Sequence, residues 1–174
     1  MTTDTETMIT TQVYRVYIKA SAQAIWDAIT KPEWTERYGY ASPVEYDLRS
    51  GGRFRAFSTD AMKAAREEMG VATTPDVIGD GEVLELDPPR RLVQTWRMLM
   101  DPDLDEGFTR LTYEIAETAH GVSKLTVTHE LEGAPRLATF LAGEMEDMGA
   151  GGGWSWVLSD LKSLLETGSS FHDG

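Results

Sequence analysis

Hydrophobic and polar positions alternate over residues 13–19, and this two-residue period predicts the first β-strand. The period then lengthens, because apolar side chains recur at helical spacing over residues 22–29 and Ser21 precedes them as a suitable N-cap. Pro32 interrupts this helix and suits the first turn of a second short helix over 32–38. The start of the chain therefore predicts a strand followed by two short helices.

The middle of the chain is mostly strand by the same criterion. Gly51 and Gly52 form a turn before a strand that ends near Phe57. The period then changes, and residues 58–70 predict a helix with methionines on one face. Four further strands are predicted, over 79–86, 91–99, 108–117 and 122–131.

The end of the chain predicts one long helix. Residues 132–153 are rich in glycine and predict irregular structure or a broken helix. From Trp154 onward, apolar side chains fall within one arc of a helical wheel through Leu165. Trp156 lies on the opposite, polar side, which predicts either a subunit contact or a cover supplied by residues 132–148.

These elements predict a single α+β domain over residues 12–168, with flexible tails at 1–11 and 169–174. The order of the elements favours a helix-grip arrangement, in which a curved antiparallel sheet wraps around the long C-terminal helix and two short helices follow the first strand. No stretch approaches the roughly 18 apolar residues of a membrane span, and no secretory signal is visible. We therefore expect a soluble cytoplasmic protein.

Net charge and the lack of cysteine exclude several classes of function. The 174 residues include 16 Lys and Arg against 29 Asp and Glu, a net charge of −13. Such a chain repels phosphate backbones and anionic lipid heads, so we expect neither nucleic-acid nor membrane binding. The absence of cysteine excludes thiolate metal sites and cysteine nucleophiles. Asp101, Asp103 and Asp105 have the opening spacing of a calcium loop. The pattern then fails, because Glu106 and Thr112 stand where that loop requires glycine and glutamate. No histidine pair has metal-ligand spacing, and we expect neither a metal nor a cofactor.

Six sequence blocks occur in an order that resembles a known superfamily. They are Ala-Ile-Trp-Asp-Ala-Ile-Thr-Lys-Pro-Glu-Trp (24–34), Gly-Gly-Arg-Phe (51–54), Gly-Glu-Val-Leu-Glu-Leu-Asp-Pro-Pro-Arg-Arg-Leu-Val (81–93), Thr-Trp (95–96), Leu-Thr-Val-Thr-His (125–129) and Gly-Trp (153–154). Together they resemble the superfamily of START-type lipid-transfer domains, polyketide cyclases and the birch-pollen allergen, also called SRPBCC. Within it, the chain is similar to the branch named after the activator of the 90-kDa heat-shock-protein ATPase.

The resemblance implies a central cavity between sheet and final helix, and it allows three functions. The first is a binding protein for a small apolar or aromatic molecule. The second is an enzyme of the cyclase or hydrolase kind that uses the same cavity. The third is a co-activator of a chaperone ATPase, and here we expect no stimulation. A homodimer is a further expectation that depends on Trp156.

The inward faces of the predicted strands and helices supply the candidate ligand-binding residues. Apolar side chains dominate these faces, with a few polar groups that could orient a ligand. The alternative is that they fill an ordinary dry core. The candidates are Trp34, Tyr38, Phe54, Trp96, Met98, Tyr113, His129 and Trp154.

Two other roles are assigned from the sequence. His129 is the histidine expected to lie inside, and its ordinary pKa near 6.5 would suit proton transfer. No motif supplies an orienting partner, so a structural or ligand-anchoring histidine is the alternative to a catalytic one. Met62 and Met69 on the 58–70 helix are candidates for a lid over the cavity, the alternative being a surface helix with its own small apolar patch.

Overall fold

The structure, a computed structural model, describes residues 10–148 and 151–173. Its strands are β1 (Thr11–Ile18), β2 (Val44–Tyr46), β3 (Arg53–Phe57), β4 (Val77–Asp87), β5 (Arg91–Met98), β6 (Thr109–Glu117) and β7 (Ser123–Glu130). Its α-helices are α1 (Ala22–Thr30), α2 (Pro32–Thr35), α3 (Asp60–Glu68), α4 (Pro135–Leu141) and α5 (Gly153–Thr167), and short 3₁₀ turns occupy Pro102–Leu104 and Glu146–Met148. Most of residues 1–11, the predicted N-terminal tail, lie outside the described residues, as do residues 149–150 of the glycine-rich segment.

All seven strands form one antiparallel sheet in the order β1-β7-β6-β5-β4-β3-β2. The first strand closes one edge by pairing with the last, and the intervening strands follow one another as neighbours. Helices α1 and α5 cover the concave face. This is the predicted α+β helix-grip fold, and it is confirmed.

The concave face of the sheet carries the main hydrophobic core. Successive inward residues of β7, Leu125 and Val127, are fully buried, and they meet Ile25 of α1 and Leu161 of α5 in one cluster. Burying each such side chain contributes about 1.5–3 kcal/mol relative to leaving it exposed. A second cluster under α4 contains Met98, Leu104, Leu131, Leu137 and Phe140. The two clusters lie toward opposite ends of β5 and β7, with Trp96 and Trp154 packed against both.

The curvature of the sheet depends on the long strand β4. A β-bulge interrupts its pairing with β5 between Val83 and Glu85, and bulges increase the local twist of a strand. At Gly81 a Cβ atom would lie 1.9 Å from the carbonyl oxygen of Thr95, so that only glycine fits this close backbone approach. The bulge and the glycine together bend the sheet toward α5.

Most predicted elements form, and two were missed. Ser21 caps α1 by accepting a hydrogen bond from the Ala24 N–H, as predicted. The second helix is only four residues long, because the chain turns toward the unpredicted strand β2. Within the segment predicted as irregular or broken helix, α4 begins with Pro135 at its first turn. The recurrence of Leu137, Phe140 and Leu141 at helical spacing could have predicted it.

The C-terminal segment after α5 contacts the domain in the structure. Asp160, which is fully buried, accepts a hydrogen bond of 2.6 Å from the Phe171 N–H. The Phe171 and His172 rings both pack against Trp156. Trp156 is therefore half-buried, and these residues and Tyr40 are among those that cover it. Flexibility of this tail and the exact domain limits stay predictions.

No α-helix among the described residues is long and apolar enough to cross a membrane. A cytoplasmic location stays a prediction.

Candidate functional site

A pocket of about 160 Å³ lies between the concave face of the sheet and α5. We call it the tyrosine pocket, because four of its lining side chains are tyrosines. Its walls come from α1, α2, the 38–44 connection, strands β2, β3, β5, β6 and β7, and α5. The lining residues are Ile29, Thr35, Tyr38, Gly39, Tyr40, Ser42, Val44, Tyr46, Phe54, Ala56, Trp96, Tyr113, Leu125, Val157, Leu158 and Leu161.

Four of the eight predicted ligand-binding residues line this pocket: Tyr38, Phe54, Trp96 and Tyr113. Strand pairing accounts for part of this grouping, since Tyr46 lies opposite Phe54 across β2 and β3, with the two rings 4.7 Å apart. The alternation of β5 and β6 places Trp96 and Tyr113 on the concave face. Sequence reasoning missed Tyr46 because the three-residue strand β2 was not predicted.

The other four predicted residues lie outside the lining. Trp34 packs on the edge of the main core, where the Arg37 guanidinium lies 5.1 Å from its ring. Met98 lies farther along β5, in the second core cluster under α4. His129 and Trp154 contact each other behind the pocket wall, for the reasons given below. The sequence thus predicted which side chains of a strand point inward, but it did not predict which of these inward side chains border the pocket.

Two of the pocket tyrosines donate their hydroxyl protons to acceptors within the protein. The Tyr38 hydroxyl donates to the Ala28 carbonyl at 2.8 Å, and the Tyr46 hydroxyl donates to Oε1 of the fully buried Gln94 at 2.5 Å. Burial raises the pKa of both phenols, so both stay neutral and keep their protons. These hydroxyls hold the pocket wall together.

Tyr113 and Trp96 differ from those two. Among the described residues, neither the Tyr113 hydroxyl nor the Trp96 indole N–H has a hydrogen-bond partner within the protein, although both side chains line the pocket. Desolvation raises the pKa of Tyr113 above its ordinary value, so its hydroxyl is protonated near pH 7. Tyr113 and Trp96 are the two lining side-chain donors that make no hydrogen bond at all among the described residues. The Tyr40 hydroxyl accepts a hydrogen bond from the Gly153 N–H but also has no acceptor for its own proton there, while the Thr35 and Ser42 hydroxyls donate to backbone carbonyls.

Charge is missing from the lining. None of the described residues that border the pocket is Asp, Glu, Lys, Arg or His. The fully buried carboxylate of Asp160 lies behind the wall, where it accepts hydrogen bonds from the Gly39 and Phe171 N–H groups at 2.8 and 2.6 Å. An ion that entered the pocket would lose its hydration and meet no opposite charge.

The 38–44 connection, which forms one wall, is fixed by several polar contacts. Gly39 has a φ of +62°, and a Cβ atom there would lie 3.2 Å from Val157. The Gly39 carbonyl accepts a hydrogen bond of 2.6 Å from Nε2 of His172, while its N–H donates to Asp160. The Tyr40 hydroxyl accepts a hydrogen bond from the Gly153 N–H at 3.1 Å. The end of the chain and the start of α5 thus hold this wall in place.

Behind the wall lies a second polar group, which we call the histidine cluster and define as Thr109, His129 and Trp154. The Thr109 hydroxyl donates to the Trp96 carbonyl at 2.7 Å, so it can only accept from Nε2 of His129, 2.7 Å away. Nε2 therefore carries the proton, and Nδ1 accepts a hydrogen bond of 3.2 Å from the Trp154 indole N–H. Both ring nitrogens are occupied.

This arrangement does not favour the catalytic role considered for His129. The ring is fully buried, and burial lowers its pKa from the ordinary 6.5 to about 3. It is therefore neutral near pH 7 and offers the pocket neither a lone pair nor a proton. Proton transfer at neutral pH needs a group with a pKa closer to 7 and within reach of the substrate.

The candidate lid residues are displaced from the pocket in the structure. Helix α3 buries none of its residues, and Met69 is 65% exposed. The helix is held by polar contacts of Arg66, which donates to the Met100 carbonyl at 3.1 Å and to Thr74 Oγ1 at 2.9 Å. Neither Met62 nor Met69 lines the pocket, so closure of α3 stays a proposal.

A second concavity, of about 460 Å³, lies among polar residues of β1, β5, β6 and β7. Its charged groups pair with one another, Arg91 with Glu114 and Arg110 with Glu130, each at 3.4 Å. Partly exposed pairs of this kind leave little charge to bind a ligand. Within the described part of the chain, no group of three His, Cys, Asp or Glu side chains could hold a metal ion.

Comparison with known proteins gives one family. The sequence model of the family described as "Activator of Hsp90 ATPase homolog 1-like protein" matches residues 19–166. No curated protein matches the chain in sequence.

Several solved structures share the fold at low sequence identity. PFC0360w, an HSP90 activator from Plasmodium falciparum, is 21% identical over 94% of this chain and 91% of its own, with a TM-score of 0.54. The Aha1 dimer from Colwellia psychrerythraea is 18% identical over 91% of this chain and 97% of its own, with a TM-score of 0.59. CalU16 from Micromonospora echinospora is 18% identical over 80% of this chain and 72% of its own, with a TM-score of 0.54. At these identities the likeness concerns the fold.

Proposed function

Since the chain belongs to the Activator of Hsp90 ATPase homolog 1-like family, within the SRPBCC superfamily, we propose that it binds a small molecule in the tyrosine pocket. The observation that carries the proposal is the pocket between sheet and α5, which combines an apolar lining with two available hydrogen-bond donors. Preformed apolar pockets with a few placed polar groups are the usual form of small-molecule sites.

The alternative of a dry core is less favourable on physical grounds. In a well-packed core, buried Tyr and Trp polar groups find partners within the protein. Tyr38 and Tyr46 do so, whereas Tyr113 and Trp96 lack a partner among the described residues. The Tyr113 and Trp96 side chains are both half-buried, and their unpaired polar atoms are not sealed from solvent. They can therefore bind water or a ligand, which supports an open pocket over a dry core.

The experiment is native mass spectrometry of the protein purified from its own host, followed by identification of any compound released on denaturation. The matched pair of variants is Ala56→Leu, which fills the pocket, and Ala61→Leu, which adds the same atoms to exposed α3. We expect a stoichiometric compound with the wild-type protein and Ala61→Leu, and none with Ala56→Leu. A compound retained equally by all three proteins would place binding elsewhere.

Chaperone activation is a second candidate, favoured by the family match and by the HSP90-activator description of PFC0360w. Stimulation of a chaperone ATPase by this protein would support it. We expect no stimulation, because the unpaired hydrogen-bond donors that carry the proposed function line the pocket and do not form an exposed surface that could bind a chaperone.

A cyclase-like or hydrolase-like enzyme is the remaining alternative. Tyr113 would act in it as a hydrogen-bond donor to the substrate, since burial keeps its hydroxyl protonated and His129 is turned away. Turnover of a bound compound that Tyr113→Phe abolishes while binding persists would support an enzyme. Turnover lost in His129→Gln with binding retained would instead restore His129 as a proton-transfer group.

A homodimer is proposed on the example of the Colwellia psychrerythraea protein, whose structure is a dimer. Trp156 adds less than expected, because residues of the same chain already pack against it. Sedimentation equilibrium measures the mass directly, and a monomer at all concentrations would remove the dimer.

A further inference from the structure

We infer that the tyrosine pocket selects neutral molecules the size of one small substituted ring, whose oxygen or nitrogen acceptor is bound by the Tyr113 hydroxyl and the Trp96 indole N–H. This inference rests on the proposed function and adds the chemical class of the ligand. Three properties of the pocket lead to it: its volume, its lack of charge and its two available donors.

Volume sets the size of the ligand. The pocket measures about 160 Å³, whereas drug-sized ligands occupy pockets of roughly 300–1,000 Å³. An engineered apolar cavity of about 150 Å³ accepts benzene. One ring with a small substituent therefore fills the pocket, and any longer part of a ligand would lie outside it through its open side.

The lack of charge sets the ionisation state of the ligand. A carboxylate, phosphate or ammonium group needs a partner of opposite charge once it leaves water. The described lining offers only hydroxyl, indole and apolar groups, and the nearest buried carboxylate, Asp160, already accepts two backbone N–H bonds. A neutral ligand meets no such penalty.

The two donors set where the polar atom of the ligand lies. The Tyr38 and Tyr46 hydroxyls already donate to Ala28 and Gln94 and have no second proton to give. Tyr113 and Trp96 do have available protons, and both side chains project from neighbouring strands, β6 and β5. An acceptor atom of the ligand is therefore bound along the β5 wall, where the Trp96 indole nitrogen lies on the side of Gly79 in β4 and Tyr113 lies on the side of β6. The apolar part of the ligand lies against Phe54, Val157 and Leu158.

The first test compares phenol with toluene, which have the same shape but differ in a polar atom. Their dissociation constants are measured by NMR titration for the wild type, Tyr113→Phe and the control Tyr17→Phe, which makes the same change at an exposed tyrosine outside the pocket. One neutral hydrogen bond changes affinity by roughly 3- to 10-fold. We expect Tyr113→Phe to weaken phenol relative to toluene by about this factor, and Tyr17→Phe to leave the ratio unchanged.

The second test compares benzamide with benzoate, which differ in charge at nearly constant shape. We expect benzamide to bind at least about 10-fold more tightly than benzoate at pH 7. Benzoate binding as tightly as benzamide, or a phenol-to-toluene ratio that Tyr113→Phe does not change, would overturn this inference and leave a small-molecule pocket standing. Failure of all four probes to bind the wild type would overturn the pocket itself.

Discussion

The tyrosine pocket and the histidine cluster are built from the same kinds of side chain on the same concave face of the sheet, yet they differ in how their polar atoms are paired. In the histidine cluster, the Thr109 hydroxyl, both ring nitrogens of His129 and the Trp154 indole N–H all have hydrogen-bond partners within the protein. In the tyrosine pocket, Tyr113 and Trp96 keep available donors. The two regions share a wall, because the Trp96 ring meets His129 edge-on at 5.5 Å and the Tyr113 ring meets Trp154 at 6.1 Å.

This difference separates a structural polar group from a binding one better than residue type does. A buried polar atom that is satisfied inside the protein stabilises one arrangement and has nothing left for a ligand. A polar atom that borders a pocket and lacks a protein partner gains a hydrogen bond when a ligand arrives. Histidine attracts attention as a catalytic residue, but here the pairing favours a structural role for it.

The largest expected effect comes from removing the centre of the histidine cluster. His129→Ala would leave a cavity and deprive the Trp154 N–H and the Thr109 hydroxyl of their partner. We expect a loss of about 4 kcal/mol in the free energy of unfolding, measured by urea denaturation. Tyr113→Phe, across the shared wall, should change it by less than about 1 kcal/mol. Equal losses would contradict the contrast between the two regions.

Acid should act on the same cluster. The unfolded chain protonates its histidine near pH 6.5, whereas the folded protein does so only near the lowered pKa of about 3. Stability that His129 contributes is therefore complete above pH 6.5 and decreases as the pH falls from 6.5 to 3. The loss is about 3 kcal/mol at pH 4 relative to pH 7.

Carboxylates titrate in the same range, so the comparison is with His129→Gln, which has no imidazole to protonate. Denaturation midpoints from pH 7 to pH 4 should fall more steeply for the wild type. Parallel curves would show that His129 is not held neutral by the fold.

A matched pair of tryptophan substitutions tests the comparison with effects of intermediate size on the free energy of unfolding. Trp154→Phe removes the donor to Nδ1 of His129, while Trp96→Phe removes an indole N–H that has no partner among the described residues. We expect losses of about 2 and about 1 kcal/mol respectively, the difference being one buried hydrogen bond. Thermal unfolding of both variants measures it, and a larger loss for Trp96→Phe would reverse our assignment.

The smallest effect is expected where the pocket wall depends on the end of the chain. Deleting residues 169–174 removes the contacts of Phe171 with Asp160 and of His172 with Gly39. We expect a loss of about 1 kcal/mol and faster amide hydrogen exchange over 38–41, with no change around His129. Unchanged exchange over 38–41 would mean that the tail does not hold the wall.

Periodicity along the sequence predicted the fold, and four of the eight candidate ligand-binding residues line the pocket. Leu125, Val127 and His129 were placed on one inward face, and all three are fully buried. Alternation cannot show which part of a strand borders a cavity, so Met98 and His129 were assigned to the pocket although they pack elsewhere. Tyr46 was missed because a three-residue strand carries too little pattern. Helix α4 was predicted only as part of an irregular or broken helix, although its apolar residues recur at helical spacing.

Asp160 shows a second limit of the sequence. An aspartate on a helix is usually exposed. The residues next to Asp160 in the sequence do not indicate that its hydrogen bonds come from Gly39 and Phe171, which lie 121 and 11 positions away. Partners this far apart are fixed only by the folded chain. The same is true of the Trp154–His129 bond, on which the assignment of His129 depends.

The most direct measurement is a ¹H–¹⁵N NMR titration of the indole N–H signals with phenol, after assignment of the five tryptophans by substitution. Our account predicts that the Trp96 signal moves and saturates as its N–H gains an acceptor, while the Trp154 signal, already bonded to His129, stays in place. Movement of Trp154 with a stationary Trp96, or no movement of either at saturating phenol, would contradict it.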